Sequence, residues 1–279
     1  MSSPPEIFDR TALTARRQRA QTAPVLFLHE EAASQCSERL LEVNRTFTTA
    51  AIVGAMLDVW ADILVSERVF ETADCRPDDD RIDLAAEAHD LIVHALALHA
   101  ANDPVGQLIQ MRHALKPDGL MLCCLFGGQS LNELRSCLAE AEIEVSGGLS
   151  PRVSPMGDIR DLGALLQRAG FALPVADTIT LTITYADLRT LVSDLRGMAE
   201  TNILTARSRQ PTPKAVFDRT EALYRDKFSD ADGRLIATVE LVFLTGWKPG
   251  PGQQQPLKPG SAAMRLADAL KTGRDVASG

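Results

Sequence analysis

Residues 120–126 form an apolar run without charge, bounded by turn-forming residues on both sides. Lys116-Pro117-Asp118-Gly119 precedes the run and Gly127-Gly128 follows it. A run of that length between such signals predicts a strand buried on both faces. Residues 90–98 repeat the pattern after an initial Asp90 and with one histidine inside, and residues 49–53 give a shorter version that leads into Gly54. A second short strand is expected at 69–73, ending at Asp74. Residues 171–184 alternate, with Ile179, Leu181 and Ile183 on one face, and 234–246 give a final strand. Between the strands, helical spacing appears at 10–21, 30–43, 54–64, 104–115, 131–142, 157–169, 185–200 and 213–228. Pro104 suits the first turn of its helix. Strands alternating with helices predict an α/β fold: a Rossmann-like, open, mostly parallel sheet with added helices.

Composition narrows the function. The chain has 279 residues, 45% of them hydrophobic, enough for a sizeable core. Its 37 acidic against 29 basic residues give a net charge of -8. That disfavours nucleic acid as partner, since phosphate binding needs a positive surface. Arg16, Arg17 and Arg19 read as a solvated helix face. No apolar run reaches the ~18 residues of a membrane span. The start, MSSPPEIFDR, lacks the pattern of a secretory signal. A cytoplasmic protein is the expectation. Cys36, Cys75, Cys123, Cys124 and Cys137 are odd in number and without CxxC spacing, so neither a disulfide framework nor a metal site is expected. The organisation reads as a helical segment at 1–46, disordered at its very start, a domain at 47–249 with a helical insertion at 185–229, and an irregular tail at 250–279.

Short motifs recur along the whole chain. They run from Phe8-Asp9-Arg10, through Phe126-Gly127-Gly128 with Leu131, Glu133, Leu134 and Arg135, to Gly147-Gly148, Ser150-Pro151 and Ser154-Pro155. Arg168-Ala169-Gly170-Phe171, Gly197-Met198, Glu200, Asn202, Asp232-Gly233, Ala237-Thr238, Gly246-Trp247-Lys248 and Gly260-Ser261-Ala262 continue the series. In this order they resemble a class I S-adenosylmethionine-dependent methyltransferase, and within that group the mitochondrial complex I assembly factor 5 family and its bacterial relatives. The resemblance implies that the last strand is antiparallel. It also implies a helix and a third strand after the second one, but the interval from Asp74 to Asp90 is too short for both, since a strand takes ~5 residues and a helix ~10. One edge strand is therefore expected to be missing.

The resemblance implies S-adenosylmethionine as cofactor, with Gly54, Asp74, His94 and Ala95 as its contacts. Asp74 would accept from the ribose hydroxyls, because a carboxylate offers two oxygens to a vicinal diol; it reads equally as a plain strand end. The family's acid-x-Gly-x-Gly-x-Gly turn is reduced here to Ile52-Val53-Gly54-Ala55-Met56-Leu57-Asp58. The cofactor site thus looks eroded, and Met56 would meet a turn that needs positive φ. His99, Gly127 and Gly128 are the candidates on the substrate side. His99 could shuttle a proton or simply be a hydrogen-bonded histidine in a turn.

Three functions follow from the resemblance. One is a methyltransferase acting on a small-molecule or protein acceptor. Another is an inactive, methyltransferase-like assembly factor that binds a respiratory complex I subunit. The third is a protein arginine hydroxylase, for which the sequence shows no pair of histidines with a carboxylate in a recognisable metal spacing.

Overall fold

The computed structural model describes residues 6–251 and 253. Contacts divide the chain into Met1–Pro249 and Gly250–Gly279, and the account below concerns the first unit. The start at 1–5 and nearly all of the tail expected at 250–279 lie outside the described residues. In chain order the elements are α1 (Arg10–Ala20), α2 (Phe27–Glu42), β1 (Ala50–Gly54), α3 (Leu57–Ser66), β2 (Ala73–Pro77) and β3 (His89–Ala95). A 3-10 turn (Leu98–Ala100), α4 (Pro104–Ala114), β4 (Leu115–Phe126), α5 (Asn132–Ser146) and α6 (Ile159–Ala169) follow. The last are β5 (Ala172–Tyr185), α7 (Leu188–Gly197), α8 (Lys214–Lys227) and β6 (Leu235–Trp247).

The strands form one sheet in the order β2-β1-β3-β4-β6-β5. β3 and β4 are parallel neighbours, with Leu91 opposite Leu120 and Val93 opposite Leu122. β1 lies parallel between β2 and β3. β6 runs antiparallel to both β4 and β5, so the last strand is the reversed one. Among the described residues no strand lies beyond β2, as the short interval to β3 requires.

The alternation of side chains along buried strands feeds two layers. Ile52, Leu91, Val93, Leu120 and Leu122 pack with Ala33, Cys36, Trp60 and Leu64 of α2 and α3. Val53, Ile92, Met121 and Cys123 pack on the other face with Leu108, Met111, Leu162 and Leu166 of α4 and α6. A third cluster joins α5, α7 and α8 through Leu134, Leu191, Leu223, Tyr224 and Leu235. Cys123 and Cys124 are core residues whose thiols burial pushes up.

Several boundaries differ from expectation. The strand expected at 90–98 ends at Ala95, with His94 and Ala95 inside it rather than beyond it. Lys116-Pro117-Asp118-Gly119 stays inside β4 rather than forming a separate turn. The Asp118 amide donates to the Lys248 carbonyl and the Lys248 amide to the Gly119 carbonyl, at 3.1 and 2.8 Å, which ties the segment to the end of β6. The second strand begins at Ala73, not at 69. Val69 and Phe70 are buried in the bend before it, so their hydrophobicity fills the core without forming a ladder.

Candidate functional site

Open α/β sheets bind ligands beyond the carboxyl ends of their strands. Here those ends are Gly54, Pro77, Ala95 and Phe126. Asp78, the first residue past β2, is fully buried. Its carboxylate pairs with Arg10 at 3.1 Å and also with Arg17, both on α1. The two arginines are seven residues apart and so share a helix face. Asp9 caps that helix, accepting from the Ala12 amide at 2.9 Å. Burial pushes the Asp78 carboxyl up, but Arg17 and Arg10 outweigh it and hold it at about 2. Gln107 of α4 donates to the Asp78 carbonyl at 3.0 Å and faces His94 Nε2 at 3.2 Å. The Gln107 oxygen accepts there, which places the His94 proton on Nε2. Burial pushes His94 down to about 4, so the ring is neutral at pH 7.

The sequence candidates fall around this network unevenly. Asp74 is the second residue of β2, opposite Ala51, and forms an ion pair with Arg76 at 2.9 Å. The expected position at the strand's end is corrected by the shifted boundary; the acid there is Asp78. Gly54, at φ 151°, ends β1 opposite Ala95 of β3. A Cβ on Gly54 would collide with the Ala95 carbonyl oxygen, so glycine is needed for the approach of two strands. His94 and Ala95 lie within β3 and are fully buried. Met56 adopts φ 50° and caps α3 without a side-chain hydrogen bond. Gly127 donates its amide to the Glu240 carbonyl at 2.8 Å, and a side chain there would strike Glu240 and Val242. Gly128 sits 3.5 Å from the Gly157 carbonyl oxygen, measured from where its Cβ would be.

Beyond β3 and β4 lies a cavity of about 810 Å³. Its wall passes from Phe126 to Ser130 without Gly127 or Gly128. His99 lines it, with Nε2 at 3.2 Å from the Glu200 carboxylate and its ring edge-on to Phe126 at 4.9 Å. Burial raises the Glu200 carboxyl, but the neighbouring His99 outweighs this and the net shift is downward. The His99 side chain is 5% exposed, and its Nδ1 has no hydrogen-bond partner among the described residues. A carboxylate on Nε2 holds the proton there and leaves a lone pair on Nδ1. The Nδ1 atom is itself buried, so the pair is an oriented base only for a group that reaches Nδ1 after the ring or the wall shifts. Among the described residues no three His, Cys, Asp or Glu side chains come together as a metal site.

No family model matches the sequence. The mitochondrial arginine-hydroxylase NDUFAF5 of Danio rerio is 32% identical over 299 residues, which is 96% of this chain and 91% of that protein. The chain belongs to the NDUFAF5 family. Human NDUFAF5 is 32% identical over 294 residues, 95% of this chain and 84% of that one. A malonyl-[acyl-carrier protein] O-methyltransferase of Laribacter hongkongensis is 32% identical over 183 residues, 66% of this chain and 59% of that protein. Among solved structures, phosphoethanolamine N-methyltransferase 2 of Haemonchus contortus has a TM-score of 0.44 and 11% identity, over 77% of this chain and 52% of that one. The NDUFAF5 proteins are mitochondrial, which overturns the cytoplasmic placement expected from sequence. Among the described residues no helix is long and apolar enough to cross a membrane.

In this NDUFAF5-family chain the network uses residues that have no site role on sequence alone. Arg17 reads from sequence as part of a solvated face, yet its side chain meets a buried carboxylate. Arg10 belongs to the Phe8-Asp9-Arg10 motif, and Glu200 to the later series. The seven-residue spacing of Arg10 and Arg17 was the available signal for a shared target.

Proposed function

We propose that the chain is an S-adenosylmethionine-dependent methyltransferase whose cofactor seats at the carboxyl ends of β1 and β2, and whose small-molecule or protein acceptor occupies the cavity beyond β3 and β4. The supporting observation is Asp78, a buried carboxylate just past the end of β2, where Pro77 pairs with Gly54, the last residue of β1 before the uncapped start of α3. A carboxylate suits a ribose diol, and a helix start without a side-chain cap leaves its first amides free for a ligand. In this reading Asp78 takes the role that sequence assigned to Asp74. Gly54, His94 and Ala95 form the floor beneath it, and Gly127 and Gly128 shape the strand end beside the acceptor. The cofactor, when bound, supplies an electrophilic methyl group. Such chemistry asks the protein mainly for alignment and proton removal. His99 takes the acceptor's proton on Nδ1 while Glu200 stabilises the imidazolium that forms.

Arg10 and Arg17 occupy the Asp78 carboxylate in the structure. The ribose must displace them, which makes α1 a closing element for the cofactor. The same clamp favours a second reading, in which the eroded turn no longer admits the cofactor and the chain serves as an assembly factor for a respiratory complex I subunit. A crystal structure of the protein soaked with S-adenosylhomocysteine tests the two. Ribose hydroxyls on Asp78 with Arg17 swung away support the methyltransferase. An unchanged clamp with no bound nucleoside at millimolar concentration supports the second reading.

A further inference from the structure

The cavity beyond β3 and β4 carries a charge imbalance that methyl transfer alone does not use. Arg16 of α1 lines it and is half-buried, and its Nε is buried without a hydrogen-bond partner among the described residues. Its guanidinium reaches the Thr201 hydroxyl. Burial, with Arg207 and Arg19 nearby, lowers its pKa from the usual value. Neighbouring carboxylates are already engaged: Asp9 with Arg207 at 2.8 Å, and Glu200 with His99 at 3.2 Å. Arg19 and Arg196 also line the cavity, and among the described residues neither they nor Arg16 form an ion pair. Arg10, Arg17, Arg152 and Arg207, by contrast, each have a carboxylate partner. A half-buried guanidinium with an orphaned N–H is costly unless an anion shares its desolvation.

Beside these and several polar residues such as Ser130, Ser193 and Asn202, much of the wall is apolar. Leu28, Phe126, Leu134, Leu188 and Val192 supply it from several elements. A cavity of about 810 Å³ falls in the range that takes a ligand of drug size. The geometry points to an anionic amphiphile as occupant: a monocarboxylate with an extended apolar body, its carboxylate on Arg16 and its body along Phe126 and Leu134. A guanidinium attracts a carboxylate, and Arg19 and Arg196 add to the field that draws the anion in. This rests on the cavity being the acceptor site of the proposed methyltransferase.

The test uses cis-parinaric acid, a fluorescent polyene carboxylate, and its neutral methyl ester, titrated into the wild-type protein and Arg16→Gln. S-Adenosylhomocysteine is titrated in parallel by calorimetry. The acid is expected to bind at least tenfold more tightly than the ester, and Arg16→Gln to remove that difference while leaving the ester unchanged. If Arg16→Gln fails to fold, salt decides on the wild type: raising ionic strength from ~0.05 to ~0.5 M should weaken the acid and spare the ester. Equal binding of acid and ester, acid binding indifferent to both Arg16→Gln and salt, or no acid binding overturns the inference. Nucleoside binding without acid binding sinks this inference alone. Acid binding without nucleoside binding sinks the methyltransferase reading and leaves the carboxylate site standing.

Discussion

Arg17 on α1 and Asp78 beyond β2 meet 61 residues apart in the chain, with the Arg17 Nη2 donating to Asp78 Oδ2 at 3.3 Å. Arg10 completes the clamp from one face of the same helix. The carboxylate proposed for the ribose is thus satisfied internally. A ligand that needs Asp78 must compete with two guanidiniums, so under the proposed function the clamp would set cofactor access as well as local stability.

Arg17→Gln separates those two roles. Asp78 keeps Arg10 but loses its strongest attraction, and ~1–3 kcal/mol of stability should go with it. Affinity for S-adenosylhomocysteine should rise, because less must be displaced. Urea unfolding and calorimetry on the same preparation check both signs. A fall in affinity alongside stability would mean that Arg17 is a ligand contact and no gate.

The His99–Glu200 pair makes a prediction that needs no substrate. The 15N spectrum of the imidazole should show the proton on Nε2 and a bare Nδ1 in the neutral ring. Glu200→Gln should mix the tautomers, since a neutral amide no longer holds one proton position. A wild-type spectrum with the proton on Nδ1 would remove the proposed base.

Acid sensitivity should come from two buried histidines. Burial pushes His29 and His94 each down to about 4, from an ordinary value of ~6.5. Between those values the unfolded chain takes up protons that the folded chain does not. Their contribution is whole above pH ~6.5 and lost as pH falls towards 4, on the order of a few kcal/mol together. Asp78, held at about 2, adds its own loss only below ~3.9. Urea midpoints from pH 7 to pH 4 should decline, less steeply in His94→Gln. A flat profile in the wild type would contradict the burial argument.

Gly54→Ala should be costly whatever the ligand. The residue sits at φ 151°, and an added Cβ meets the Ala95 carbonyl oxygen. Strain of ~1–3 kcal/mol is expected before the collision is counted. A variant as stable as the wild type in urea would show that β1 and β3 can separate there.

What the sequence made visible follows burial. β1, β3 and the apolar part of β4 are buried on both faces, so their composition marks them as strands, and β3 and β4 are the parallel neighbours expected. β2 is a half-exposed edge strand with the sequence ADCRP, and nothing apolar marks it. The buried Val69 and Phe70 just before it drew the boundary upstream and Asp74 with it. Among the aspartates at 78–80, Asp78 is buried while Asp79 and Asp80 are exposed, a difference made by a helix far away in sequence. His99 and Glu200 are 101 residues apart, and no local spacing can announce such a pair.

The most direct measurement is titration of S-adenosylhomocysteine by calorimetry into the wild-type protein and Asp78→Asn, with urea unfolding to show that both are folded. The account predicts binding by the wild type and at least a tenfold loss in Asp78→Asn. Equal affinity in the two proteins, or no binding by the wild type at millimolar ligand, would contradict it.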